Sequence, residues 1–214
     1  KSMPFIFSPN FSKFFNNKNI SKKERIHNDG ITYDMNSPEA FDEVFFKTDE
    51  KFIKKELVNY IQLICLSENK IKYLSKNNLN YNRIDLISNF FPNCNFLISI
   101  REPLQHSYSL LKQHLNFSNL QKNDDFIRRY MNYLGHNEFG LNHKPWNNPV
   151  NYHDLSGLNY WLEQWSLFYQ NIINQYQFYK NCHFIFYEEL TNIKYLKIII
   201  EKINFIEIDN LNLK

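Results

Sequence analysis

The stretch NFLISIREPLQHSYSLLKQH (95–114) places a guanidinium, a proline and several hydroxyls directly after an apolar run. An arginine is always charged, and its planar fork of N–H groups can hold two phosphate oxygens at once. In open parallel sheets ligands bind at the carboxyl ends of the strands, and Arg101 falls at that end of the strand NFLISI predicts. Pro103 suits the first position of a following helix, whose free N–H groups favour an anion. Ser109, about two turns further on, could add a hydroxyl to the same anion. The competing reading is an arginine paired with a surface carboxylate and serines that only tolerate the helix.

Other groups suit proton transfer. ERIHNDG gathers Glu24, His27 and Asp29 in a loop. His27, with an ordinary pKa of about 6.5, suits a general base, and Asp29 could orient it. LGHNEFG supplies a second pair, His136 and Glu138, expected near an acceptor. For each pair the alternative is a loop histidine held by ordinary hydrogen bonds. His136, Glu138, His143 and His153 match no ordinary zinc spacing, and no metal is expected. Glu188 in FIFYEEL ends a strand and reads as an acceptor for loop backbone. Trp161 and Trp165, at helical spacing, read as core.

These residues must be positioned by a layered α/β fold. Helical spacing covers 50–65, 81–91, 102–115, 123–135, 158–176 and 192–203. SPEAFDEVFFK (37–47) opens like a helix, with Ser37 as N-cap and Pro38 behind it. Strand candidates are IKYL (71–74), NFLISI (95–100) and CHFIFY (182–187). The unbroken run in NFLISI suggests burial on both faces, as in a parallel sheet. Residues 135–155, with two glycines, two prolines and three histidines, read as a long loop of the kind that tends to be functional.

Composition excludes several classes. Hydrophobic residues at 43% and charged residues at 22% describe a globular chain of 214 residues, enough for one core. A net charge of +3 does not argue for nucleic acid. It is uneven, however: residues 1–25 hold six Lys/Arg against Glu24 alone. Cys65, Cys94 and Cys182 are far apart and odd in number, so they read as small core residues. No apolar run reaches the roughly 18 residues of a membrane span, and the start does not resemble a secretory signal. A soluble cytoplasmic protein without a membrane span or nucleic-acid partner is the expectation.

The segment YLSKNNLNYNRIDLISNFFPNCNFLISIREPLQHSYSLLKQH (73–114) resembles the 3′-phosphate-binding region of sulfotransferases that use 3′-phosphoadenosine-5′-phosphosulfate, PAPS. That pattern runs lysine, helix, turn with proline, strand, R-x-P, then a serine eight residues after the arginine. MPFIFSPNF (3–11), ERIHNDGITYDMNSPEAFDEVFFK (24–47), YMNYLGHNEFG (130–140) and FIFYEEL (184–190) are similar to one bacterial-type branch of that family. Together these blocks cover most of the chain. The resemblance implies one sulfotransferase-like domain over 1–214, a P-loop-NTPase-like parallel sheet flanked by helices. It implies PAPS as sulfuryl donor, Arg101 and Ser109 on its 3′-phosphate, and Lys76 near the leaving group. The acceptor it implies is the hydroxyl or amine of a small molecule or carbohydrate.

The chain departs from that pattern in two places. Family members cradle the 5′-phosphosulfate in a glycine loop between first strand and first helix, where backbone N–H groups approach closely. Gly30, Gly135, Gly140 and Gly157 are the only glycines, and none is expected to follow a strand and open a helix. The expectation is a domain lacking its first strand, phosphosulfate loop and first helix, and inactive alone. Asn78 also stands where cytosolic members carry a basic histidine, so the base must come from elsewhere. A non-catalytic fragment binding nucleotide or a partner is the alternative. A P-loop kinase would need a G-x-x-x-x-G-K motif upstream.

Overall fold

The structure, a computed structural model, describes residues 23–24, 32–33, 45–46, 50–67, 69–146 and 151–203. They fall into two compact units. One comprises 1–76 with 120–137, the other 77–119 with 138–214.

In the first unit β1 (Lys23–Glu24) and β2 (Thr32–Tyr33) form a short antiparallel pair. Helix α1 (Glu50–Ser67) buries Ile53 and Leu57, four residues apart and therefore on one face. Residues 71–74 correct the strand expected at IKYL. They join no ladder among the described residues, and Ile71 is 97% exposed. Four residues without a pairing partner cannot satisfy the backbone of a strand. The helix expected at 37–47 lies largely outside the described residues.

The second unit carries the α/β layer. Asn77 accepts the Leu79 N–H to open a 3-10 turn (Asn78–Arg83), which runs into α2 (Ile84–Phe90). Pro92 follows the end of α2. Strand β3 (Phe96–Ile100) leads to α3 (Pro103–Asn123), and α4 (Asp125–Leu134) belongs to the first unit. Asp124 caps α4 by accepting the Phe126 N–H, and Gly135 ends it at φ 82°, left-handed backbone that favours glycine. Residues 135–146 and 151–157 form neither helix nor strand, as expected. Helix α5 (Leu158–Tyr176), strand β4 (Cys182–Phe186), a 3-10 turn (Tyr187–Thr191) and α6 (Ile193–Lys202) follow. At Gly157 a Cβ would approach the Asp154 Oδ2 to 2.9 Å, so a larger residue there would need the Asp154 carboxylate to shift.

β3 and β4 pair in parallel, Phe96 beside Cys182 through Ile100 beside Phe186. Parallel neighbours need a long crossover, which the helical segment between them supplies. Alternate side chains Phe96, Ile98, Cys182 and Phe184 pack on Ile84 of α2 and Ile172 and Tyr176 of α5. The opposite face of β3 is open: Leu97 is 42% exposed and Ser99 is exposed. This corrects the expectation of burial on both faces. Among the described residues α2 and α5 both cover the same side of β3, and strand alternation turns Leu97 and Ser99 away from them. Among the described residues no helix is long and apolar enough to cross a membrane.

Candidate anion site at the end of β3

Arg101 follows the last residue of β3, as the sequence predicts. Its guanidinium lies over the Tyr187 ring, 5.0 Å from the centroid. Its Nε is buried without a hydrogen-bond partner among the described residues. Glu188, next to Tyr187, accepts the Glu102 N–H at 2.9 Å. That hydrogen bond, the Glu188 backbone and then the charges of Arg101 and His106 hold the Glu188 carboxyl below its ordinary range. The backbone role expected of Glu188 is thus the one it has.

The start of α3 differs from the expectation. Pro103 does open the helix, yet its free N–H groups are already occupied. The Glu102 carboxylate turns back to accept Leu104 N–H at 3.1 Å and Gln105 N–H at 2.6 Å. A carboxylate at a helix N-terminus is favoured by the helix dipole as well as by these bonds. An incoming anion therefore meets side chains here rather than free amides.

Ser109 is exposed on the second turn of α3, whereas the buried hydroxyl of that turn belongs to Ser107. Ser107 Oγ, His106 Nδ1 and, on α5, Trp165 Nε1 are also buried without partners among the described residues. Trp165 lies 4.7 Å from Tyr169, and the Tyr169 ring lies 6.4 Å from that of His106. Tyr169 in turn donates its hydroxyl to the Ser99 carbonyl at 2.7 Å, which ties α5 to the end of β3. Burial and then the Glu188 charge push the Tyr169 hydroxyl up to about 12, so it stays a donor. Buried polar groups are nearly always satisfied in native proteins, so orphans collected around one strand end mark a place for a polar ligand or water. His106 and Trp165 were not assigned to this site from sequence; only the fold brings α5 and the first turn of α3 together.

The remaining candidates are scattered. Lys76 is exposed in the first unit, outside any helix or strand. His27 and Asp29 lie outside the described residues. His136 and Glu138 fall in different units; His136 follows the Gly135 cap of α4, its N–H bonded to the Met131 carbonyl. Glu138 is buried, and its charge acts on Tyr81, whose hydroxyl is pushed up mainly by burial. Trp161 is fully buried in a cluster with Leu110, Leu111, Phe139 and Tyr160, as the stripe predicts. Among the described residues no three His, Cys, Asp or Glu side chains form a metal ligand set.

The long loop is pinned by histidines rather than left open. His143 Nδ1 donates to the Glu138 carbonyl at 2.7 Å, so its Nε2 lone pair accepts the Tyr160 hydroxyl at 2.6 Å. His114 Nδ1 accepts the Gly140 N–H at 3.3 Å, which places its proton on Nε2, 3.5 Å from Ser118 Oγ. Further along, the Glu163 carboxylate gathers both Asn151 N–H groups and the Tyr152 N–H.

No family model, no curated protein and no solved structure matches this chain.

Proposed function

We propose that this chain is the nucleotide-binding part of a PAPS-dependent sulfotransferase, with a P-loop-NTPase-like parallel sheet. The observation that carries the reading is the buried Arg101 Nε at the carboxyl end of a parallel strand, without a hydrogen-bond partner among the described residues. The R-x-P motif and the serine at 109 support it. In this reading the Arg101 guanidinium grips the nucleotide's 3′-phosphate, and Ser109, accessible on α3, adds a hydroxyl. Sulfuryl transfer breaks the bond between sulfur and the bridging phosphate oxygen while the acceptor oxygen or nitrogen attacks sulfur. The acceptor's proton passes to a base, for which His27 with Asp29, or His136 with Glu138, are the candidates. Lys76 would offset charge on the leaving phosphate. Small alcohols, amines and carbohydrates are the acceptor class.

A second reading is nucleotide binding without turnover, which asks of the described residues only the anion site at Arg101. Gly135 and Gly140 are left-handed but follow a helix and lie within a loop, and Gly157 opens α5 from a loop. None of the three follows a strand to open a helix.

Titration calorimetry with 3′,5′-adenosine bisphosphate tests the common part of both readings. Arg101→Ala should weaken binding by about 1.5–3 kcal/mol, the scale of a charged hydrogen bond. An unchanged affinity removes the phosphate role from Arg101. A transfer assay from PAPS to alcohol, amine and sugar acceptors separates the two readings.

A further inference from the structure

We infer that His106 is a second binding residue of the Arg101 site, taking up a proton when a doubly charged phosphate monoester binds. This rests on the nucleotide reading above and adds the group that makes the site prefer a dianion. His106 lies in the first turn of α3, its N–H bonded to the Glu102 carbonyl at 3.0 Å. Its Nδ1 and the Arg101 Nε are both buried and both without partners among the described residues. Several groups face it. They are Arg101 from the end of β3, Glu102 from the start of α3, Glu188 from the 3-10 turn, and the Tyr169 ring from α5, with Trp165 beyond it.

Without a ligand, burial and then the Arg101 cation hold the imidazole neutral, and Glu188 opposes them. Burial is the largest of these influences and sets the direction. A phosphate monoester seated on Arg101 adds up to two negative charges to a corner where one guanidinium, Arg101, already stands against two carboxylates, Glu102 and Glu188. The same imidazole then faces a net anion, and protonation offsets part of it. The proton comes from solvent and goes onto the ring; no bond to phosphorus is made or broken. A singly charged phosphodiester would recruit the proton less, so the device selects for the monoester.

The test is calorimetric titration of 3′,5′-adenosine bisphosphate into the full chain, in buffers of different ionisation enthalpy, for the wild type and His106→Asn. The wild type should take up about half to three-quarters of a proton more than the variant near pH 7. Its affinity advantage should reach about tenfold at pH 6.5 and vanish by about pH 8.5, since one linked proton gives at most tenfold per pH unit. Imidazole nitrogen shifts of the wild type, followed through the titration, report the same protonation without any substitution. Binding with equal proton uptake in both proteins and an unshifted ring overturns the inference and leaves the nucleotide reading standing. No binding by the wild type overturns both.

Discussion

Acidification from pH 7 to pH 5 should cost this protein stability through one buried ring, and the amount follows from its surroundings. His114 is 6% exposed, with Trp161 at 5.1 Å and His143 at 5.5 Å between ring centroids. Burial, and then the neighbouring His143, push its pKa down from 6.5 to about 4. Protonation would also set an Nδ1–H against the Gly140 N–H that Nδ1 now accepts. The unfolded chain binds the proton near the ordinary value and the native ring only near 4, so between those values the unfolded state holds more protons. Stability is therefore complete above 6.5 and falls as pH drops. At pH 5 the linkage favours the unfolded state about 30-fold, roughly 2 kcal/mol, and at pH 4 the loss reaches about 3 kcal/mol. Glu163, Glu188 and Asp154 have carboxyls held below their ordinary range, so their stabilisation is lost only as pH falls below about 4.5. His106 and His183 are also held low and act in the same direction as His114, so a control is needed. His114→Gln provides it, keeping an amide able to accept the Gly140 N–H while removing the titration. Urea unfolding followed by tryptophan fluorescence at pH 7, 6 and 5 should show the wild type losing about 2 kcal/mol more than the variant. Parallel pH profiles would refute the reasoning, because they would mean the native ring protonates as easily as the unfolded one.

Tyr160→Phe should destabilise by about 1 kcal/mol, since it removes the hydroxyl that donates to the part-buried His143 Nε2, and denaturant midpoints at pH 7 will read this. Glu163→Gln should raise the rate of limited proteolysis within 151–157, because the carboxylate holding Asn151 and Tyr152 is gone; an unchanged cleavage pattern would deny it that role. Burial pushes the Cys182 thiol up to about 11, so in the native protein at pH 8 it should resist a thiol reagent until urea unfolds the chain. Prompt labelling of all three cysteines would contradict the packing of Cys182 on α2 and α5.

What the sequence determined was local. Apolar spacing placed α1, α3, α4, α5 and α6, and Asp124 with Gly135 punctuates α4, because caps and periodicity act within a few residues. FLISI and CHFIF declared themselves as strands, and the helical segment between them announced the parallel pairing. IKYL misled because a short apolar run is a strand only where a partner exists, and partners are long-range. The same limit governs the site. Arg101 was legible from its place at a strand end. Glu102 as the occupant of the α3 amides, His106 beside Arg101, Trp165 on the far wall and Ser107 as the buried hydroxyl were not. Each depends on which face of a helix meets which element, and residues 101, 106 and 188 become neighbours only when β4 folds back along β3. Tertiary packing also decided the loop at 135–155. For its histidines the sequence left open proton transfer or ordinary hydrogen bonding, and His143 proves bonded at both ring nitrogens beside a buried His114. A histidine's role follows from what lies at its two nitrogens, and only the folded chain supplies that.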